Sequence, residues 1–78
     1  MKDLIEFISL SLVDDPTQVQ VNEYKRRSGV NLELQVAKED MGRVIGKSGR
    51  VANAMRTLLR VAAAREGIRA NLEVVDPL

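Results

Sequence analysis

Apolar and polar side chains alternate strictly along two stretches of the chain, positions 30–36 and 68–74. A shorter alternation at positions 19–24 continues into a basic run at positions 25–27, and Ser28-Gly29 follows as a turn. Strict alternation is typical of a β-strand with one covered face and one face open to water. The pattern therefore predicts three strands, the first two joined as a hairpin.

Three other stretches place apolar residues at helical spacing. The first helix is expected to begin at Asp3, with Glu6 three residues later as in a capping box, and to end at Asp14-Asp15-Pro16. A second, short helix follows the acidic pair Glu39-Asp40, whose charge suits a helix N-terminus, and stops at Gly46.

The third helix is the longest and runs from about Arg50 to Arg65, with Gly67 ending it. We expect its core face to consist of apolar residues: Val51, Ala54, Met55, Leu58 and Ala62. The opposite face carries polar residues: Asn53, Arg56, Thr57 and Arg60.

These elements follow one another in the order α-β-β-α-α-β, which predicts an α+β fold of two layers. Three helices are expected on one face of a three-stranded mixed sheet, because each strand has one apolar face to cover. The third strand is predicted to lie parallel to the second, since a crossover of two helices returns the chain in the same direction. The length of 78 residues fits a single domain over 1–78 with a thin core.

Composition narrows the chemistry, because the chain contains neither cysteine nor histidine. Disulfides and thiolate metal sites are excluded, and the commonest metal ligand and general base is missing. Acids close to the N-terminus do not fit a signal peptide, and no apolar run approaches the length of a membrane span. We therefore expect a soluble, cytoplasmic, non-enzymatic protein that uses no metal, cofactor or membrane.

Charge is distributed unevenly along the chain. Positions 41–65 hold six basic residues and no acidic residue, whereas the other positions hold six basic and eleven acidic residues. The formal net charge of the chain is only +1, although this one segment is strongly basic. Such a segment suits a polyanionic partner, and a solvated basic helix face has the same pattern. The basic residues of the segment are Arg43, Lys47, Arg50, Arg56, Arg60 and Arg65.

The segment Gly46-Lys47-Ser48-Gly49 joins the short helix to the basic one. Gly46 is expected in the left-handed conformation that ends a helix, and Gly49 lets the chain turn into the next helix. Both glycines remove side chains that would keep a sugar-phosphate backbone at a distance. The amides of residues 48–51 open a helix N-terminus with basic side chains beside it. The loop is therefore predicted to bind phosphate groups.

Two other motifs fit this segment less well. A nucleotide-binding P-loop needs a glycine where this chain has Met41, and it follows a strand, whereas this loop follows a helix. ATP or GTP hydrolysis is therefore disfavoured. A DNA-reading helix-turn-helix normally has an all-helical core, which the three alternating strands contradict.

The residues around the loop closely resemble the signature of KH domains, in which a V-I-G-x-x-G loop joins two helices. The matching stretch is positions 42–51, G-R-V-I-G-K-S-G-R-V, and the surrounding α-β-β-α-α-β order resembles the bacterial type II arrangement. The resemblance covers nearly the whole chain. Among such proteins, the chain is most similar to the small stand-alone KH proteins of the KhpA family.

The resemblance implies that the chain clamps about four unpaired RNA nucleotides, with the loop on the backbone and the bases in an apolar groove. The implied RNA-binding residues are Arg43, Val44, Ile45, Gly46, Lys47, Ser48, Gly49, Arg50 and Val51. Val44 is the better groove candidate, whereas core packing is an equally reasonable role for Ile45. Three further basic residues lie where the family has its variable loop and either add secondary RNA contacts or form a solvated hairpin tip: Lys25, Arg26 and Arg27.

Only two aromatic residues are present, Phe7 and Tyr24, so the stacking platforms of RRM and OB-fold modules cannot be assembled. The resemblance also implies RNA chaperoning or post-transcriptional regulation, with effects on bacterial growth or cell shape. It further implies homodimerisation, or pairing with a larger KH-containing protein, for which Arg56, Thr57 and Arg60 are the candidate interface. A KH-like module used mainly for protein association is therefore the alternative function.

Overall fold

The computed structural model describes residues 1–76 and has the element order predicted from the sequence. Its helices are α1 (Lys2–Leu12), α2 (Met41–Ile45) and α3 (Arg50–Arg65), and its strands are β1 (Gln20–Arg26), β2 (Gly29–Gln35) and β3 (Arg69–Val74). Short 3-10 turns lie at Pro16–Gln18, Lys38–Asp40 and Lys47–Gly49. None of the helices within these 76 positions combines the length and the hydropathy needed to cross a membrane. The predicted α+β class and α-β-β-α-α-β order are confirmed.

β2 is the central strand of the sheet, with β1 antiparallel on one side and β3 parallel on the other. The predicted hairpin and the parallel third strand are therefore confirmed. The turn lies at Arg27 and Ser28, one residue earlier than expected, and Gly29 already pairs with Arg26 of β1 and Arg69 of β3. Gly29 permits a close approach of two strands, because a Cβ there would overlap the carbonyl oxygen of Arg69 and lie 2.8 Å from its carbonyl carbon.

Side chains from all three helices and all three strands meet in one core. Its buried apolar residues are Ile5, Val21, Val30, Leu32, Leu34, Val36, Val44, Met55, Leu59, Ala63, Ala70 and Leu72. The other face of the sheet is polar, and there the side-chain amide of Asn71 donates to Asn31 at 3.2 Å. Because α2 and α3 both contribute to this core, the loop that joins them is held by packed residues on both sides.

The buried face of α3 is rotated relative to the sequence prediction. The residues that it buries are Ala52, Met55, Leu59 and Ala63, so only Met55 of the five expected residues belongs to this set. Leu58, which was expected in the core, is 51% exposed. The prediction was wrong because apolar residues line two neighbouring faces of this helix, and periodicity alone does not say which face meets the sheet.

The two long helices differ in how well their ends were predicted. α1 begins at Lys2 and no side chain caps it, so Asp3 lies in the first turn, where its charge suits the helix dipole, rather than at the cap. α3 ends at Arg65, and Gly67 terminates it as predicted: Gly67 has φ +71° and its N–H donates to Ala64 at 3.1 Å, while the N–H of Ile68 donates to Ala63 at 3.0 Å. This Schellman arrangement turns the chain directly into β3.

Candidate nucleic-acid interface

Two glycines shape the connection between α2 and α3. Gly46 ends α2 with φ +75° and ψ 174°, and a Cβ there would lie 2.8 Å from the Cβ of Val51 and 2.9 Å from its backbone nitrogen. Gly49, directly before α3, has φ +77° and ψ 11°. The left-handed helical conformation predicted for Gly46 is therefore found at Gly49, since Gly46 instead redirects the chain into close contact with Val51.

Ser48 is the one non-glycine residue among positions 1–76 that has a positive φ, with φ 57° and ψ 27°. The left-handed conformation costs an L-residue about 1–2 kcal/mol. Backbone strain of this kind persists only where the surrounding structure holds it, and it concentrates at functional sites. The strained position therefore agrees with a binding role for the loop.

The first turn of α3 is open to a ligand. No side chain caps its amides, and its sixteen residues give the helix a macrodipole with a partial positive charge at this end. The side chains of Lys47 and Arg50 are exposed beside it, and neither takes part in the ion pairs found among residues 1–76. Amides, dipole and two cations thus meet at one glycine-bounded turn, which is an arrangement that binds phosphate groups.

The structure separates the three apolar residues of the signature. Val44 is fully buried in the core, Ile45 is 36% exposed, and Val51 is partly buried beside Gly46. Val44 thus lies in the core although it was the better groove candidate, and Ile45, for which both roles were open, keeps accessible surface. Packing against α3 sets which side of the five-residue α2 is buried. Ile45 and Val51 are therefore the apolar residues of the signature that keep accessible surface.

Arg43 is engaged by two carboxylates. Its guanidinium lies 3.0 Å from Oδ2 of Asp14 and 3.3 Å from Oδ1 of Asp40. Asp40 is buried and also accepts from the backbone N–H groups of Asp14 and Asp15, both at 3.1 Å. This cluster ties the segment after α1 to the start of α2, so Arg43 stabilises the fold. Sequence reasoning missed it because Asp14 and Asp40 are 26 positions apart and no local pattern connects them.

The Asp40 cluster predicts a dependence of stability on pH. The hydrogen bond from the Asp14 N–H holds the pKa of Asp40 below its ordinary value of 3.8, opposed by burial and helped by the Asp15 N–H and the charge of Arg43. A carboxyl with a lowered folded-state pKa stabilises the fold above its unfolded pKa, and this contribution is lost as pH falls through the folded value.

We therefore expect an Asp40→Asn variant to be less stable than the parent at pH 7, with the difference shrinking as pH falls below 3.8. Asparagine has one acceptor oxygen in place of two, so it loses one of the hydrogen bonds from the Asp14 and Asp15 N–H groups, and it forms no ion pair with Arg43. Protonation removes the same negative charge from the parent. Thermal melts of both proteins from pH 7 to about pH 2.5 measure the difference. A difference in melting temperature that stays constant over this range would contradict the assignment.

One polar residue of α3, Arg56, forms a hydrogen bond to β3. Arg56 donates from Nε to the carbonyl oxygen of Leu72 at 3.1 Å and from Nη1 to Oδ1 of Asn53 at 2.9 Å. The hydroxyl of Thr57 donates to the carbonyl oxygen of Asn53 at 3.0 Å, and Arg60 is exposed. Arg56 thus joins α3 to β3, which is a role within the domain that was not expected from its place in the candidate interface.

A different face of α3 presents apolar side chains to solvent. Its residues are Ala54, Leu58 and Val61, here called the outer stripe, and Leu58 and Val61 are 51% and 52% exposed. Spacings of four and three residues align side chains along one side of a helix. The sequence contained this signal, since α3 has more apolar positions than one buried face requires.

The basic hairpin residues Lys25, Arg26 and Arg27 are exposed but lie far from the loop at positions 46–49. The hairpin turn adjoins the start of β3, because the N–H of Arg69 donates to the carbonyl oxygen of Ser28 at 3.1 Å. β3 follows the C-terminal end of α3, whereas the loop lies at its N-terminal end. A helix of sixteen residues is about 24 Å long, so the two basic groups are not brought into one site.

A mixed three-stranded sheet under three helices, in this order and with a glycine-bounded loop between the second and third helices, defines a KH domain of type II. A family model described as "KhpA/KhpB, KH domain" matches residues 2–74, and the chain belongs to this family. The family is non-enzymatic, in agreement with the expectation from composition.

Three curated relatives match over their whole length. A protein of Clostridium acetobutylicum named RNA-binding protein KhpA is 51% identical over 75 residues, which is 96% of this chain and 100% of the relative. The protein of the same name in Clostridium perfringens is 48% identical with the same coverage. That of Halalkalibacterium halodurans is 42% identical over 76 residues, which is 97% of this chain and 100% of the relative. The resemblance to the KhpA family noted in the sequence is confirmed.

Proposed function

We propose that this chain binds single-stranded RNA by clamping the sugar-phosphate backbone at positions 46–49. The observation that carries the proposal is the loop geometry: two glycines with positive φ and a strained Ser48 lead into an uncapped helix beside Lys47 and Arg50. Each of these features favours an anion at the same point. Relatives named RNA-binding protein KhpA support RNA as the polyanion.

Bases next to the clamped phosphates contact Ile45 and Val51, which lie on either side of Gly46 and retain accessible apolar surface. Arg43 and Val44 are left out of this contact set, because the first is paired with two carboxylates and the second is buried. Without aromatic platforms, recognition rests on backbone contacts and a few apolar ones. One domain therefore binds about four nucleotides, weakly and with little sequence preference.

Weak and loosely specific binding suits an RNA chaperone or a post-transcriptional regulator that meets many transcripts in the cytoplasm. We propose this role for the chain, with growth and cell shape as the processes that respond to it. The proposal rests on membership of the KhpA/KhpB family and on the breadth of targets that a short footprint allows.

RNA binding is expected to weaken as salt increases. If the loop and its neighbours neutralise two to four phosphates, log K should fall against log salt with a slope of about −1.5 to −3, because bound RNA releases condensed counterions. Fluorescence anisotropy of a short unstructured RNA at several salt concentrations measures this slope. An affinity that does not change with salt would contradict the phosphate clamp.

We also propose that the chain forms a homodimer through the outer stripe, and that the same surface serves for pairing with a larger KH-containing protein. Leu58 and Val61 are half-exposed apolar side chains, and the small Ala54 lets a second helix approach closely. The family description joins two proteins, KhpA and KhpB. A dimer carries two clamps and binds one RNA more tightly than a single domain does, so association supports RNA binding rather than replacing it.

A Leu58→Glu substitution is expected to convert the homodimer into a monomer, because it places an unpaired carboxylate in an apolar contact. The parent should have a mass near twice 8.7 kDa and the variant a mass near 8.7 kDa in analytical ultracentrifugation. A protein concentration of about 100 µM is sufficient, because an association free energy of about 8 kcal/mol corresponds to a dissociation constant of about 1 µM.

The matched control is Ser28→Glu, which adds the same charge at the exposed hairpin turn, outside α3. It should leave the dimer intact. A parent that is monomeric at about 100 µM would contradict the dimer itself. Dissociation by Thr57→Glu but not by Leu58→Glu would move the interface to the polar side, where Arg56, Thr57 and Arg60 lie.

A further inference from the structure

The open face of the sheet carries an aromatic side chain among polar ones. Cross-strand partners lie on the same face of a sheet. Tyr24 lies opposite Asn31, which lies opposite Asn71, and the two amides are hydrogen-bonded to each other at 3.2 Å. Tyr24 is 46% exposed, so its ring offers an accessible surface on which a flat ring can stack.

Charged side chains lie on both sides of this tyrosine along the strands. Arg26 and Arg69 belong to one row of cross-strand partners, and Glu33 lies opposite Glu73 in another row. None of these four side chains takes part in the ion pairs found among residues 1–76. The two rows are four residues apart, which is about 13 Å at a rise of about 3.3 Å per residue. The face is therefore positive at one end and negative at the other, with an aromatic ring between them.

The pairing of Glu33 with Glu73 is unfavourable for the domain itself, because like charges directly opposite on neighbouring strands destabilise a sheet. Carboxylates only accept hydrogen bonds, so a ligand that donates to both of them would stabilise this row. Guanine presents two adjacent donors, N1–H and the N2 amino group, on its Watson–Crick edge. In the other RNA bases, each donor on that edge has an acceptor next to it. The acidic row therefore favours guanine.

We propose that the open face of the sheet binds a guanine nucleotide. The base stacks on Tyr24 and donates from its Watson–Crick edge to Glu33 and Glu73, and a depression of about 200 Å³ is lined by all three residues. The phosphate lies beside Arg26 and Arg69. The nucleotide is either free or part of an RNA strand, since both sources carry the same base and phosphate.

This site is separate from the loop at positions 46–49. The helices that hold the loop pack on the opposite face of the sheet, where Val44, Met55 and Leu72 meet in the core. The inference therefore does not depend on the proposed function.

The test is a titration of the isotope-labelled protein with GMP, followed by NMR chemical shifts. The side-chain amides of Asn31 and Asn71 lie beside the tyrosine, so their resonances should shift with GMP and shift less with AMP, CMP or UMP. Inorganic phosphate should shift only the amides of the loop. A short RNA with a single guanine, compared with the same RNA carrying adenine there, distinguishes a guanine in a strand from a free nucleotide.

Two variants assign the contacts. Tyr24→Ala should weaken GMP binding about tenfold, because it removes the stacking surface. Its matched control is Phe7→Ala, which removes an aromatic side chain that is 71% exposed on α1 and should leave GMP affinity unchanged. Glu73→Gln should abolish the preference for GMP over AMP without lowering the melting temperature, because it also removes the repulsion from Glu33. Partial unfolding cannot produce this combination, since it would lower the melting temperature.

Shifts that are confined to the loop, or that are equal at the sheet for all four nucleotides, would overturn the inference. If Tyr24→Ala does not fold, Glu73→Gln decides, and an unchanged preference for GMP overturns the inference. A variant with Lys47 and Ser48 both replaced by aspartate should keep the GMP shifts at the sheet. GMP binding at the sheet by a parent that binds no RNA would leave the inference standing and overturn the proposed function. RNA binding at the loop without a guanine response at the sheet would do the reverse.

Discussion

Replacing Lys47 and Ser48 together by aspartate is expected to abolish RNA binding and to leave the domain folded. Lys47 is exposed, and a hydrogen bond between charged groups contributes about 1.5–3 kcal/mol, so losing the lysine alone weakens binding about 10- to 100-fold. Two carboxylates at the point of closest approach then repel the phosphates. Gel shift or fluorescence anisotropy with a short single-stranded RNA measures the loss.

The fold should tolerate this double substitution for two reasons. Both side chains are exposed, and exposed substitutions usually change stability by about 0.5 kcal/mol or less. Position 48 has a positive φ, which aspartate adopts more readily than most residues. Circular dichroism and thermal melting should therefore resemble those of the parent, and the mass of the dimer should not change if the outer stripe forms the interface.

A matched control is Ala64→Asp combined with Arg65→Asp, which makes the same change in net charge at the other end of α3. Both positions are exposed, and the control should keep most of the RNA affinity. Equal losses in the two double variants would mean that overall charge, not the loop, controls binding. A folded Lys47/Ser48 variant that binds RNA as well as the parent would refute the loop as the clamp.

Gly29→Ala is expected to cause a large loss of stability although it adds only a methyl group. The new Cβ would overlap the carbonyl oxygen of Arg69, which is backbone of the neighbouring strand and cannot rotate away. Overpacking against fixed atoms costs about 1–3 kcal/mol and here should reach the upper end, which lowers the melting temperature by about 15 °C. Thermal melting by circular dichroism measures this shift.

The control for this prediction is Gly42→Ala, the same substitution at a position with no neighbour within 4 Å. It should not destabilise the domain. A Gly29→Ala variant whose melting temperature stays within about 3 °C of the parent would contradict the close approach of β2 and β3 at this end of the sheet.

The strands were predictable from the sequence because their alternation reports burial directly. Val30, Leu32 and Leu34 of β2 are all buried, as the pattern predicts. In a strand that is covered on one face only, apolar residues lie on the covered face and polar residues lie on the face open to water. The loop was equally accessible to prediction, since glycines at positions 46 and 49 and the basic residue between them are a local signal.

The buried sides of α2 and α3 were not predictable in this way. α3 carries apolar residues on two adjoining faces, so the sequence allowed Leu58 or Leu59 to enter the core, and packing on the sheet chose Leu59. In α2 the same ambiguity between Val44 and Ile45 was resolved in favour of Val44. In the strands, only one face is apolar, so the sequence identifies the buried face. In these helices two faces are apolar, so the element that packs against the helix decides which face is buried.

The sequence by itself therefore determined the order of the elements, the inward faces of β2 and β3, the position of the glycine-bounded loop and the family of the chain. Tertiary structure alone decided that Arg43 pairs with Asp14 and Asp40, that Arg56 joins α3 to β3, and that the hairpin cations lie far from the loop. Local patterns depend on neighbours in the chain, whereas these contacts join residues that meet only after the sheet and helices have packed.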